Sequence, residues 1–286
     1  MRADGTKLKN IDPMYKVAAH IMKERIDAMN MVTIEIPYEP IQAYVNKTRK
    51  EGRAVSHMAV IIAAYLQTAA EYPEVNRFIV NKKVYARNEY SVAMVVLKGE
   101  DGHGTMSKMY FELTDNVFEV NRKIEAFVEE NRNSPDNNGT EKMIKFLLSV
   151  PGLLTVGVPF FKLLDRYGLL PKKIIDMSPF HNSLAISNLI SIRTNATYHH
   201  CYNFGTTSIF MTMGNLKEVP KKQGDEIVLE KVLPLAITMD ERICSGAYFA
   251  AAFRKMGKLL KNPELLETAP EKIIEDSGIK TRKKKK

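Results

Sequence analysis

Tryptophan is absent from the 286-residue sequence, and cysteine occurs only at Cys201 and Cys244, with no Cys-x-x-Cys pair. That excludes a disulfide framework and points to a reducing compartment. No histidine follows His200, so the C-terminal third has no imidazole to act as base or ligand. No run of about 20 apolar residues exists, as a membrane span requires. The longest apolar stretch, Phe146 to Phe161, has 16 residues and is broken by Ser149, Pro151, Gly152, Thr155, Gly157 and Pro159. The start, Met1-Arg2-Ala3-Asp4-Gly5, lacks the apolar core of a signal peptide. These absences predict a cytoplasmic protein, with the 146–161 stretch as at most a surface-seeking segment. No metal is expected, because the consecutive His199, His200 and Cys201 cannot surround one tetrahedral centre. The Gly99–Gly104 segment lacks the Lys-Ser/Thr of a phosphate loop and reads as a hairpin turn.

What is present describes a folded domain. Apolar residues make up 45% and charged residues 26%, enough for one large core. The 15 methionines fit irregular core filling or a pocket for a flexible ligand. The net charge is +9, but five of those charges sit in the last six residues, leaving +4 on the body. That body does not read as a nucleic-acid binder. The Lys-rich end reads as a solvated tail, or as a contact for an anionic surface.

Periodicity predicts helices over 14–29, 40–51, 56–71, 114–131 and 247–261. Ser56 is the expected cap of the third segment and Asn116 or Thr114 of the fourth. Strands are predicted over 31–38, 78–80, 83–85, 91–97, 105–113, 183–192, 206–213, 227–230 and 232–238. Residues 131–140 form a polar loop, and 141–170 an apolar helical hairpin bent at Pro151 and Pro159. The domain reading is an extension over 1–10, one domain over 11–267 with the hairpin inserted at about 141–180, and a basic tail over 268–286. Helices flanking antiparallel-capable strands argue for a two-layer α/β domain.

The run Pro234 to Ala247 (PLAITMDERICSGA), followed by a helix ending in Pro263-Glu264-Leu265-Leu266, resembles the catalytic domain of 2-oxo acid dehydrogenase acyltransferases. Chloramphenicol acetyltransferase shares that fold. The family pattern is Asp-His-Arg-x-x-Asp-Gly, with Asn at times for the second Asp. The strand Ala185-Ile186-Ser187-Asn188-Leu189 resembles the family's Thr-Ile-Ser-Asn-Leu, and Tyr72-Pro73-Glu74-Val75-Asn76 resembles a segment near its opening. The resemblance spans about 11–267; residues 141–180 have no counterpart in the dehydrogenase enzymes, and no lipoyl domain precedes the core. It implies a mixed β-sheet with helices on one face, a homotrimer with its site between subunits, coenzyme A or acyl-coenzyme A as substrate, and a small-molecule acyl acceptor. No nucleic acid is expected, and a membrane contact only peripherally.

The resemblance also assigns roles. Ser187 falls at the oxyanion-donating hydroxyl. Asp240 and Arg242 are the pair that brackets the turn, and Gly246 the glycine expected to serve close approach or positive φ. The base position holds Glu241, and the second acidic position Ser245. A carboxylate of ordinary pKa, about 4.3, is a poor base for a thiol of about 8.5 unless burial raises it. Glu241 therefore reads either as a buried base or as a structural or binding residue. His199 and His200 read either as alternative bases or as loop or core histidines satisfied by hydrogen bonds, and in an extended segment at most one would face the site. Cys244 reads as a small buried residue or as a nucleophile needing a cation nearby. Two functions stand: an acyltransferase with an altered site, or a catalytically silent binding or assembly subunit.

Overall fold

The computed structural model describes residues 2–98, 103–133, 145 and 148–279. In chain order the strands are β1 (Gly5–Lys7), β2 (Met29–Pro37), β3 (Arg77–Val80), β4 (Lys83–Arg87), β5 (Tyr90–Lys98), β6 (His103–Phe111), β7 (Leu184–Asn188), β8 (Ile209–Met213), β9 (Lys217–Gln223) and β10 (Glu226–Asp240). The helices are α1 (Pro13–Ile21), α2 (Tyr38–Lys50), α3 (His57–Glu71), α4 (Val117–Asn133), α5 (Leu153–Tyr167), α6 (Lys172–Met177) and α7 (Gly246–Lys261).

Seven strands form the main sheet, in the order β2-β10-β8-β7-β5-β6, with β9 paired to the first half of β10. The β5–β7 and β7–β8 pairs are parallel and the remainder antiparallel. One face carries the helical layer. α3 is its centre, packed against α2, α4 and α7. Thirteen of its fifteen residues are buried, as expected for a helix apolar on all sides. Ser56 caps it, its hydroxyl accepting from Ala59 N at 3.1 Å, and Asn116 caps α4 through Phe118 N and Glu119 N, both at 3.0 Å. The opposite face is crossed by the extended segment 194–207. Thr212 Oγ1 donates to Thr197 O at 2.6 Å and accepts from Thr197 N at 3.1 Å. Gly214 permits that approach, since a Cβ there would lie 1.9 Å from Ala196 N.

Several expected boundaries move. The helix expected over 14–29 stops at Ile21. The buried Arg25 anchors the following turn, its backbone N donating to Asn203 Oδ1 at 3.0 Å and its guanidinium to Tyr202 O at 2.5 Å. The 183–192 strand ends at Asn188, because β8 offers no partner beyond Met213; Leu189–Ile192 then coils into a 3₁₀ turn closed by Arg193 at φ 55°. The 206–213 strand begins only at Ile209, since Thr206 and Thr207 donate their backbone N–H groups to Phe180 O. The two short strands at 227–230 and 232–238 are one strand, and β9 was not foreseen. Of the hairpin expected over 141–170, the structure describes the helix α5, which runs through Pro159. Most of the first arm, the 134–140 part of the polar loop and most of the Gly99–Gly104 turn lie outside the described residues.

Residues near both limits of the described chain are built into the fold. β1 pairs with β4 in a small sheet of order β1-β4-β3, whose turn places Asn81 and Lys82 at φ 47° and 59°. Arg2 bonds Asp4 and, on α5, Asp165, each at 2.7 Å. At the other end the buried Asp276 holds Arg77 through two bonds of 2.6 and 2.8 Å. Among the described residues no helix is long and apolar enough to cross a membrane.

Candidate functional site

β10 carries the motif to its end. Asp240 is fully buried and takes the Arg242 guanidinium in a bidentate pair, Nε–Oδ1 2.8 Å and Nη2–Oδ2 2.6 Å. Arg242 spends its remaining donor on Met22 O at 2.9 Å. Arg25 adds a second cation 3.6 Å from Asp240. Burial pushes the Arg25 guanidinium below its ordinary range, against the pull of that carboxylate. The turn is thus locked from inside, and Glu241 between the two partners projects outward and is exposed.

The remaining motif positions serve α7. The Ser245 hydroxyl accepts from Tyr248 N at 3.1 Å and caps the helix. Gly246 does not serve the expected purpose: it is the first residue of α7, has no positive φ, and a Cβ there would meet nothing within 4 Å. Cys244 is buried, and burial raises its thiol well above the usual range, so it is not a thiolate nucleophile. Cys201 is pushed up to about 12 by the same cause.

Ser187 lies on the face crossed by segment 194–207. It pairs in register with Thr212, and Ala185, two residues before it, pairs with Phe210. The period of two puts all four side chains on one face. His199 lies on that face as well, its ring stacked on Phe210 at 4.1 Å and 14°. His199 and Ser187 are thus separated by about two residues along the strand direction, roughly 7 Å. His199 Nδ1 is 2.9 Å from His200 O. A carbonyl can only accept, so the neutral ring carries its proton on Nδ1 and leaves the Nε2 lone pair free.

The two histidines do not point to opposite sides. Their rings stack at 4.8 Å and both touch Tyr202, because the segment is not a paired strand and the pleat does not apply. His199 is half-buried and His200 exposed.

Glu241 is not brought to Ser187 within one chain. Thr212 pairs with Ala236, and Asp240 lies four residues beyond. That is about 13 Å along the strand and two strand spacings, about 9 Å, across.

Sequence reasoning missed the ionic groups under α5 and α6. Lys108 Nζ donates to Ile175 O and His181 O at 2.9 and 2.8 Å, and burial lowers its pKa to about 8. Buried His181 lies 3.3 Å from Asp165, and burial lowers its pKa. The one available signal was a lone acid, Asp165, inside an otherwise apolar run.

Residues 184–268 match the family model of the 2-oxoacid dehydrogenases acyltransferase catalytic domain. A 54-residue stretch is 41% identical to the dihydrolipoyllysine-residue acetyltransferase component of the acetoin cleaving system of Bacillus subtilis (strain 168); it spans 19% of this chain and only 14% of that protein. The structure is similar to dihydrolipoamide acetyltransferase of Azotobacter vinelandii, with a TM-score of 0.59 and 12% identity over 91% of this chain and 94% of that one. A serine, a histidine and an asparagine of that enzyme have been investigated for their role in its catalytic mechanism. Chloramphenicol acetyltransferase is similar with a TM-score of 0.54 and 13% identity, over 88% and 99% of the two chains. The fold is therefore that of the chloramphenicol acetyltransferase-like α/β proteins, and the C-terminal part is related to the 2-oxoacid dehydrogenase acyltransferase core.

Proposed function

We propose that this protein transfers an acyl group between coenzyme A and a small acceptor, with His199 in place of the histidine that position 241 lacks. The reading rests on one observation: His199, with a bare Nε2, shares the Ser187 face of the sheet. His199 takes the proton from the attacking thiol or hydroxyl as the nucleophile adds to the thioester carbonyl. The Ser187 hydroxyl donates to the oxyanion of the tetrahedral intermediate. Collapse expels the thiolate of coenzyme A, which recovers the proton from His199. The offset of roughly 7 Å along the strand and one strand spacing, about 5 Å, across leaves room for the reacting carbonyl and nucleophile.

In the motif a serine, a histidine and an acid or asparagine are the working set; here the matching positions hold Ser187, Glu241 and Ser245. Glu241 is exposed, and its own chain gives it none of the burial that a carboxylate base for a thiol requires. Its role in this reading is to meet a neighbouring subunit of a homotrimer, next to that subunit's Ser187 face.

Thioester cleavage with a panel of acyl-coenzyme A donors tests the proposal. Ser187→Ala should lower kcat about 10²- to 10³-fold. His199→Gln should lower it about 10²- to 10⁴-fold. Glu241→Gln should leave kcat within a few-fold. Loss of turnover in Glu241→Gln alone would move the base to the motif. No turnover with any donor would favour the silent subunit, and a monomer by light scattering would remove the inter-subunit part.

A further inference from the structure

α5 is the helix least absorbed by the domain. Its inner side carries Asp165, tied to Arg2 at 2.7 Å. Its outer side carries Val156, Phe160, Leu163 and Tyr167, spaced by four, three and four residues, which is one stripe of a 3.6-residue helix. These side chains are 70, 54, 51 and 62% exposed. Leu148 and Val150 before the helix and Leu169 after it are exposed too and lengthen the patch. An apolar patch of this extent on a surface marks a contact with something outside the chain.

The charges beside the stripe show what that is. Lys162 and Arg166 lie on the flank of α5, and Lys172 and Lys173 follow it. Behind the flank opens a cleft of about 580 Å³ lined by Lys23, Arg25, Lys82, Lys162, Arg166 and Arg242, with Glu24 and Asp165 as its carboxylates. Asp165 is taken by Arg2, and Glu24 accepts from Asn203 Nδ2 at 2.7 Å. Among the described residues Lys23, Lys82, Lys162 and Arg166 have no carboxylate within 4 Å; Arg166 donates only to Asn81 Oδ1 at 3.3 Å. Arg25 and Arg242 are instead taken up by the buried Asp240, at 3.6 and 2.6 Å, so the free charge of the cleft is that of the four exposed cations. Unpaired cations of one sign in a concave site raise the local concentration of anions. An apolar stripe with such a flank is the construction of a helix that lies in a membrane interface. A second copy seated face to face on the same stripe would press Lys162 and Arg166 against their own counterparts, which disfavours it.

We propose that the outer face of α5 and the basic cleft on its flank dock this protein on an anionic phospholipid membrane. The stripe enters the interfacial layer, and the cleft cations meet headgroup phosphates. The proposal is independent of the acyl-transfer reading.

Co-sedimentation of the full chain with vesicles tests it. Binding is expected to vesicles of phosphatidylglycerol mixed with phosphatidylcholine, not to phosphatidylcholine alone, and should weaken in high salt. Lys162→Gln with Arg166→Gln should lower the partition coefficient at least about tenfold, as should Val156→Ser with Phe160→Ser. These side chains are exposed, so unchanged melting curves will confirm that the variants fold. Lys222→Gln with Lys231→Gln, on the β9–β10 hairpin, should bind like the parent. The proposal is overturned if anionic vesicles do not bind the protein. It is equally overturned if the α5 variants bind undiminished, or if Val156→Ser with Phe160→Ser breaks an oligomer in light scattering, which would make the stripe a subunit interface.

Discussion

The turn from Asp240 to Gly246 and the helix α5 border one cleft, through Arg242 on one side and Lys162 and Arg166 on the other, yet they are built on opposite plans. In the turn, charge is inside: Asp240, Arg242, Ile243 and Cys244 are all at most 2% exposed. In α5, apolar surface is outside. The difference separates residues chosen by the fold from residues free to serve a partner. Within the turn the same division recurs. Asp240 and Arg242, the pair expected to bracket the turn, are buried, whereas Glu241 and Ser245 are exposed. Keeping the buried pair preserves the turn, so its retention says nothing about whether the exposed positions catalyse anything.

The sharpest way to break this comparison is to exchange one residue in each region. Arg242→Met leaves Asp240 buried with only Arg25 at 3.6 Å, an uncompensated charge expected to cost about 3–5 kcal/mol. Phe160→Ser, on the outer face of α5, should stay within about 0.5 kcal/mol. Urea denaturation at unchanged m-value reads both. Equal costs would mean that the Asp240–Arg242 pair does not hold the turn.

The two regions also differ in how far the sequence revealed them. The turn was legible because its pattern is local: a strand, a bracketing pair and a helix, all within 30 residues. Capping was legible at Ser56 and Asn116 for the same reason. The path of 194–207 was not, because it is set by Thr212 and Gly214 on a strand met later in the chain. The end of α1 was fixed by Arg25 reaching Tyr202 O and Asn203, about 180 residues away, which no window of periodicity contains. The exposure of the α5 stripe was equally hidden. Spacing gave an apolar helix, but whether its stripe faces core or solvent depends on neighbours that only the fold supplies.

A second test concerns the buried lysine beneath α6. Lys108 has a folded pKa of about 8 against an ordinary 10.5. Below pH 8 it is charged in both states, and the fold bears the full desolvation cost. Above pH 8 the folded protein loses a proton that the unfolded chain keeps, so stability rises with pH. Between pH 8 and 9.5 the share of Lys108 in that gain should reach about 1.6 kcal/mol, the slope approaching about 1.36 kcal/mol per unit as it deprotonates. Cys201 and Cys244, which burial holds protonated while unfolded thiols ionise at about pH 8.5, work in the opposite direction over the same window, and Tyr65 and Tyr110, raised by burial, join them above about pH 10. The slope between pH 8 and 9.5 should turn more negative in Lys108→Met, by about 1 kcal/mol per pH unit. An unchanged slope would place the titration on another group.

The smallest expected effect lies at Ser245. Ser245 caps α7 through Tyr248 N. Removing the hydroxyl in Ser245→Ala should cost about 1 kcal/mol, while Ser245→Asp should cost almost nothing, because serine and aspartate cap equally well and the acid also favours a helix N-terminus. The scaffold would then accept the family's acid without penalty, and the choice of serine would not be explained by the cap. A loss of about 1 kcal/mol or more in Ser245→Asp would point instead to repulsion from a nearby carboxylate, with Glu241 the closest in sequence. In that case the residues at 241 and 245 would be coupled by charge. The cycle of Glu241→Gln, Ser245→Asp and the double variant measures that coupling directly, with independence expected to within about 0.5 kcal/mol.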